Sequence, residues 1–261
     1  MANQVYNNFF LSNTVEDQLA SHLDLQRFCV IDRGLVGTAG MKRIIHTYRA
    51  TDGTEKLTVG QGNTKSIEVS YTPKEYEIAL AQNNFKWYDE HAMTDNMLVP
   101  VGMKHIGTDM FNTIQKDIYT EFSKTGIEVS AASPNFDAFV DAVAALNLEN
   151  VEDVEVFAIV HPDDKAAVRK ALKDTLQYVE AFARQGYVGT VAGVNIYAKA
   201  DATKGEIIVA IKGAVTIFEK KGVETEQERD PNTRQNTAYS RKYYVVALTD
   251  ESKAIKITLT A

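Results

Sequence analysis

No disulfide can form within this chain, because its 261 residues hold a single cysteine, Cys29, set among Phe28, Val30 and Ile31. A lone cysteine in an apolar setting, with no adjacent basic residue to favour the thiolate, argues against a thiol nucleophile and a structural zinc site. It suits a reducing compartment. No apolar run approaches the ~20 residues of a membrane span, and the start, Met1-Ala2-Asn3-Gln4, lacks the basic and apolar stretches of a signal peptide. We therefore expect a cytoplasmic product. Prolines number only five, and there is neither a low-complexity tract nor an internal repeat. Positive charge is in short supply: 28 lysines and arginines stand against 35 acidic residues, a formal net charge of −7. A chain whose task was to grip nucleic acid would be basic. Apolar residues are plentiful at 44%, enough for one large domain or two small ones with a sizeable core.

The stretch from about Gly40 to Gln82 reads as a long β-ribbon. Met41 to Ala50 is a first strand, and Thr51-Asp52-Gly53-Thr54 and Gly60-Gln61-Gly62-Asn63 carry turn signals. Ser66 to Thr72 alternates, with Ile67, Val69 and Tyr71 on one side, and the pattern resumes after Pro73 with Tyr76, Ile78 and Leu80. A two-stranded ribbon is marginal in water and leaves its edges open. It must lie on the body of its own chain or on another copy. On the second reading, the contact candidates are Ile45, Tyr48, Ile67, Val69, Tyr71 and Tyr76.

Upstream, Val15, Leu19 and Leu23 recur at helical spacing behind a possible Asn13-Thr14 cap, as a projecting arm or as a helix packed on its own domain. Downstream, Met103, Ile106, Met110, Ile114, Ile118 and Phe122 predict a helix over about 101–124, following a loop around Asp95 to Pro100 and ending with Gly126 as a left-handed cap. Asn135 to Leu146 is amphipathic, with Phe136, Phe139, Val140 and Val143 expected inward. Val156 to Val160 is a buried strand, and His161-Pro162-Asp163-Asp164 opens a helix. Leu176 to Ala183 reads as helix or loop, and a glycine-rich connection from Gly186 leads into a strand over Val194 to Ala198. The remainder is β in texture: Glu206 to Ile211, Ala214 to Phe218, a polar strand Val223 to Arg229, a turn at Asp230-Pro231-Asn232-Thr233, Arg241 to Leu248 and Ala254 to Leu259. The class is α+β.

Residues for chemistry do not assemble. The histidines His22, His46, His91, His105 and His161 lack the i, i+4 spacing of a helical zinc site. His161 lies at a strand end ahead of a helix, where a loop histidine is the simpler account. Asp163-Asp164 and Asp89-Glu90 fit helix starts better than general acid–base work. Gly186, Gly189 and Gly193 match no phosphate-binding pattern and lead from helix to strand, the wrong order for a phosphate cradle. Phe85, Trp87 and Tyr88 have only Lys86 as a basic companion, too little for a base-stacking platform. The expectation is a protein without enzymatic activity, cofactor or metal, whose projecting elements suit assembly between copies.

The order of parts resembles a tailed-bacteriophage major capsid protein of the Hong Kong 97 type. Gly37-Thr38-Ala39-Gly40-Met41-Lys42, then Ile45, Thr47 and Tyr48, with Gly60-x-Gly62-Asn63-Thr64 in the turn, resembles the extended loop of a compact branch found in phages of Gram-positive bacteria. Lys86 followed by Asp89-Glu90 is similar to the acidic element after that loop. Ala158-Ile159-Val160-His161-Pro162-Asp163 with Ala167-Val168-Arg169 is similar to the strand and helix of the axial domain, and Gly189-Thr190-Val191-Ala192-Gly193-Val194 to the turn and strand that follow. Val223-Glu224-x-Glu226-x-Glu228-Arg229-Asp230 and Arg241-Lys242-Tyr243-Tyr244 look like the long strands of the peripheral domain.

The resemblance implies the Hong Kong 97-like phage capsid fold, divided as an N-terminal arm (1–34), an extended β-hairpin loop (35–83), a peripheral domain with a spine helix (84–131), an axial domain (132–219), return strands of the peripheral domain (220–246) and a C-terminal strand joining the axial domain (247–261). It implies a structural head protein, made in the cytoplasm of the bacterial host and found in the virion. Copies would form pentamers and hexamers of an icosahedral shell that encloses double-stranded DNA without reading its sequence. The chain starts at its arm, so a separate scaffolding protein is expected, with portal and head-completion proteins as further partners. Some relatives cross-link through a ribbon lysine; Lys56 and Lys65 lie near this turn, and solvated lysines are the simpler account. Two rival readings are an encapsulin-like nanocompartment shell and an enzyme or binding module that forms oligomers through its ribbon.

Overall fold

A computed structural model describes residues 23–147, 154–176 and 189–260. The helix pattern of Val15 and Leu19 and the segments from 177 to 183 and at Gly186 lie outside the described residues. A short 3-10 turn, Leu25–Phe28, leads to β1 (Val30–Asp32), β2 (Lys42–Ala50), β3 (Val69–Glu77) and β4 (Ala79–Tyr88). Two helices follow, α1 (Asp89–Thr94) and α2 (Leu98–Ser123). Then come β5 (Glu128–Ala131), α3 (Phe136–Ala145), β6 (Val156–Val160), α4 (Pro162–Leu176), β7 (Thr190–Val191), β8 (Val194–Ala198) and β9 (Glu206–Ile211). The chain finishes with β10 (Val215–Asp230), β11 (Gln235–Leu248) and β12 (Ala254–Leu259). The architecture is mixed α+β, as expected.

Three sheets organise the described residues: a six-stranded sheet in the order β5-β12-β9-β6-β8-β7, a four-stranded sheet in the order β1-β10-β11-β4, and the two-stranded ribbon β2-β3. The six-stranded sheet is covered on both faces, which explains why β6 is an unbroken apolar run with every residue buried. Phe157 and Ile159, with Ile208 and Ala210, face a core shared with Met110, Ile114, Ile118 and Phe122 of α2. The alternate residues Val156, Ala158 and Val160, with Ile207, Val209 and Ile211, face Phe139 and Ala142 of α3 and Val168 and Leu172 of α4.

The stripe on α2 is buried from Ile106 to Phe122 as its spacing predicts, with Met103 half-buried, but the ends differ. The helix starts at Leu98, because Pro100 falls in the first turn, where a missing N–H costs nothing. Gly126 is not left-handed; the last turn tightens instead, and the Thr125 hydroxyl donates to the Ala254 carbonyl at 2.6 Å. Within the stripe, fully buried Gln115 accepts from the Leu25 amide at 2.7 Å and donates to Asp24 at 3.0 Å, mooring the 3-10 turn. Gly102 lets α2 cross β4, since a Cβ there would lie 2.5 Å from the Phe85 ring.

Helix α3 is turned relative to expectation. Ala138, Phe139 and Ala142 are buried, with Leu146 just beyond, while Phe136 and Val140 are 51% and 41% exposed. Two alanines let the helix approach the sheet closely, so small residues rather than the second phenylalanine take the inner face. The strands expected at Ala214–Phe218 and Val223–Arg229 are one strand, β10, whose register against β11 shifts at Glu219, Lys221 and Glu224. The interval between the two expected strands, residues 219–222, thus holds a bulge, and the division expected at 219/220 falls inside a strand. β11 begins at Gln235, six residues before its expected start at Arg241. Residues 79–83 belong to β4 rather than to the ribbon: Ile78, 3% exposed, forms the corner, and its amide donates to the Met41 carbonyl.

Candidate interface on the projecting ribbon

β2 and β3 are nine residues each and pair without interruption from Lys42↔Glu77 to Ala50↔Val69. At about 3.3 Å per residue the paired arms extend ~30 Å. Residues opposite each other share a face, so the register sorts the ribbon into two sides. One side carries Arg43 with Tyr76 and Ile45 with Lys74. It is fastened to the body: the Tyr76 ring stacks on Phe218 at 5.6 Å between centroids, its hydroxyl donates to the Leu248 carbonyl at 3.4 Å, Lys74 pairs with Glu251 at 3.1 Å, and Arg43 pairs with Asp32 at 3.1 Å. Burial pushes the Tyr76 phenol above its ordinary value, with Lys74 opposing.

The other side carries Val69 and Tyr71, each 63% exposed, and Ile67, 61% exposed, just ahead of the strand. Exposed Ile44 lies on this side nearer the base. The six contact candidates are thus divided: Ile67, Val69 and Tyr71 share the outward side, Ile45 and Tyr76 the inward side. Tyr48 stands opposite Tyr71 in the backbone register. The division follows from parity, since apolar residues occupy odd positions before Pro73 and even positions after it. Pro73 is tolerated because, among the described residues, β3 pairs with β2 on one side alone.

The tip, residues 51–68, is an ordered loop rather than continued ladder. The Thr51 amide donates to the Glu68 carbonyl at 3.0 Å, and Glu55 accepts both the amide and the hydroxyl of Thr64 at 2.8 Å. These hydrogen bonds hold the Glu55 carboxyl below its ordinary value. Gly60, at φ +90, takes the left-handed position of the Thr58–Gln61 turn, and a Cβ at Gly53 would lie 2.6 Å from the Ile67 side chain. Leu57 and Val59 are exposed on this tip. They and Ile44 were missed by pattern reading, although Leu57 and Val59 stand two apart. Contiguous exposed apolar residues rimmed by polar ones mark an interaction site, and burying a Val or Ile side chain on a partner is worth about 1.5–3 kcal/mol.

The base is set by charge. Glu219 receives Lys242 at 2.6 Å and Arg33 at 3.0 Å. Burial alone would raise its carboxyl; the hydrogen bonds and charges of Lys242 and Arg33 reverse this and leave it below its ordinary value. Lys220 donates to the Thr38 carbonyl at 2.9 Å and to that of Gly40, fixing the strand entry. At the far end of the β10–β11 hairpin, Asp89 accepts from Arg229 at 2.7 Å and Asn236 at 2.6 Å, which hold its carboxyl low.

Several other reactive groups are in structural use. Burial, then the Asp24 charge, push the Cys29 thiol up to about 12, so no thiolate is present at neutral pH. His161 accepts the Asp163 amide at 3.1 Å, Asp163 pairs with Lys204, and buried Asp164 accepts the Gly205 amide at 2.9 Å. An open cleft of about 330 Å³ between α2 and the sheet includes Leu80, Asp117, Glu121 and Tyr244, where the Tyr244 hydroxyl donates to Asp117 at 2.6 Å. Among the described residues no three His, Cys, Asp or Glu side chains converge as metal ligands, and no helix is long and apolar enough to cross a membrane.

A family model described as phage capsid protein matches residues 72–257. The major capsid protein of Staphylococcus phage phiMR11 is 25% identical over 255 residues, covering 95% of this chain and 91% of that protein. Among solved structures, the capsid of the cyanophage P-SCSP1u superposes with a TM-score of 0.77 at 11% identity, over 97% of this chain and 92% of that one. The SrpI encapsulin of Synechococcus elongatus superposes with a TM-score of 0.63 at 11% identity, over 90% of this chain and 86% of that one.

Proposed function

The chain belongs to the phage capsid protein family, and from that premise we propose that its copies form the pentamers and hexamers of an icosahedral Hong Kong 97-type shell around phage double-stranded DNA. It is a structural major capsid protein and not an enzyme. The observation that carries the assembly reading is the two-sided ribbon: one face is fastened to its own body, and the other carries Ile67, Val69 and Tyr71 into solvent. We read residues 1–34 as the arm and 35–78 as the extended loop, with the chain leaving the loop at Ile78. The four-stranded sheet with α2 as spine is the peripheral domain, and the six-stranded sheet with α3 and α4 the axial domain. The outward ribbon face then lies on a neighbouring subunit. The net charge of −7 is compatible with a shell that encloses DNA without gripping it. The compact branch of Gram-positive phages, a scaffolding protein, a portal, head-completion proteins and synthesis in the host cytoplasm belong to the same proposal.

Electron microscopy of the purified protein, with analysis of what its particles enclose, tests this. Closed shells that package genome-length DNA in the infected host are expected. A protein that stays a small oligomer under all conditions, with its natural partners present, would overturn the reading. Shells filled with a cargo enzyme would favour the encapsulin alternative, whose structural likeness is weaker at 0.63 against 0.77.

A further inference from the structure

Helices α3 and α4 cover the same face of the six-stranded sheet, since Phe139 and Ala142 of one and Val168 and Leu172 of the other share a core with Ile207, Val209 and Ile211. They sit towards opposite ends of it: α3 packs on β5 and β12, and α4 on β8. Their outward faces differ in kind. α3 shows Phe136 and Val140, one turn apart, flanked by exposed Asp137 and Asp141, and has no lysine or arginine. α4 shows exposed Arg169 and Lys170 around exposed Ala166, with half-buried Lys165 one turn before Arg169. The exposed acid on α4's first turn, Asp163, is paired with Lys204 at 3.1 Å. Like charges at i, i+4 oppose each other. Burial, then the Arg169 charge, hold the Lys165 ammonium below its ordinary value. Among the described residues no ion pair takes up Lys165, Arg169, Lys170, Asp137 or Asp141.

We propose that the Phe136/Val140/Asp137/Asp141 face of α3 in one copy docks on the Lys165/Arg169/Lys170 face of α4 in the next copy. Phe136 and Val140 cover Ala166 and the aliphatic stems of the basic side chains, while the two aspartates meet the cations. The two patches are different surfaces towards opposite ends of one sheet, so the contact is heterologous. A heterologous contact repeats head to tail and closes into a ring when its rotation allows. Charge also fixes the direction, because α3 against α3 or α4 against α4 would oppose like charges. This contact deepens the shell reading and rests on it.

The test is a charge swap at exposed positions. Asp137→Lys with Asp141→Lys, and separately Arg169→Glu with Lys170→Glu, are each expected to lower the yield of rings and shells at least about tenfold by sedimentation and microscopy. The subunit should keep its circular dichroism and melting temperature. All four substitutions together restore the attraction with its sign reversed, and assembly is expected to recover. Reversal pairs that assemble like the wild type, or a fourfold variant that does no better than either pair, would overturn the contact while leaving the shell reading intact. A wild-type protein that never assembles would overturn both.

Discussion

Two long β-hairpins project within this chain, and they resolve their open edges differently. In the β10–β11 hairpin, β11 has β10 on one side and β4 on the other, and its residues alternate buried and half-buried over most of its length against α2. Its outer strand β10 is exposed from Thr225 to Asp230 and carries Glu224, Glu226 and Glu228 at alternate positions, charges that discourage edge pairing. Among the described residues the β2–β3 ribbon is a sheet of two strands, and its exposed side carries apolar residues instead. One hairpin is completed within its own chain. The other keeps an apolar side exposed among the described residues, so substitutions in the two should separate folding from assembly.

The largest effect on the isolated subunit belongs to the completed body. Phe157, stacked on Phe28 at 4.0 Å and edge-on to Phe122 at 5.7 Å, should cost about 3–5 kcal/mol of unfolding free energy as Phe157→Ala, read as a lower denaturant midpoint. Next is Lys242→Met, which leaves buried Glu219 with Arg33 alone. A loss of about 3 kcal/mol is expected, together with a weaker dependence of stability on pH in the acid range. The sign follows from the lowered Glu219 carboxyl: its contribution is present above the ordinary glutamate value and is lost as pH falls through the lower folded value. Val69→Asp, on the outward ribbon face, should shift subunit stability by no more than about 0.5 kcal/mol yet prevent shell closure. Normal shells from that variant would erase the contrast between the two hairpins. The smallest effect is at the tip. The Glu55–Thr64 bonds should hold at neutral pH and loosen as pH falls below the ordinary glutamate value, seen as faster amide exchange at Thr64 while the body remains protected. Unchanged Thr64 exchange across that range would mean that Glu55 does not brace the tip.

What the sequence made legible was what local rules decide. Val156–Val160, Val194–Ala198, Glu206–Ile211 and Ala254–Leu259 carry their boundaries in short β-branched runs, and Pro162 announces the start of α4. The inner face of α3 was misread because apolarity ranks Phe136 above Ala138, whereas the fit against β5 and β12 favours the smaller side chain. β10 looked like two strands because its bulge carries turn-like residues, and only the unbroken partner β11 joins them. The ribbon was legible as an element, and so was the shared side of Ile67, Val69 and Tyr71; that Ile45 and Tyr76 face the body was not, because it depends on Phe218 and Leu248, more than 140 residues away. Buried Gln115 carries no sequence mark of its own, because its partners lie 90 residues away.

The change of parity at Pro73 has a consequence for how such a ribbon can vary over descent. Strand faces repeat every two residues, so adding or deleting a single residue between Tyr71 and Tyr76 would bring both to one side, and with Tyr76 still fastened the apolar residues would turn onto the body. Viable ribbons of this kind should therefore differ in length by even steps in each strand, with odd changes confined to the loop at the tip. The spacing between Tyr71 and Tyr76 is in that sense a reading frame, one kept by packing rather than by translation.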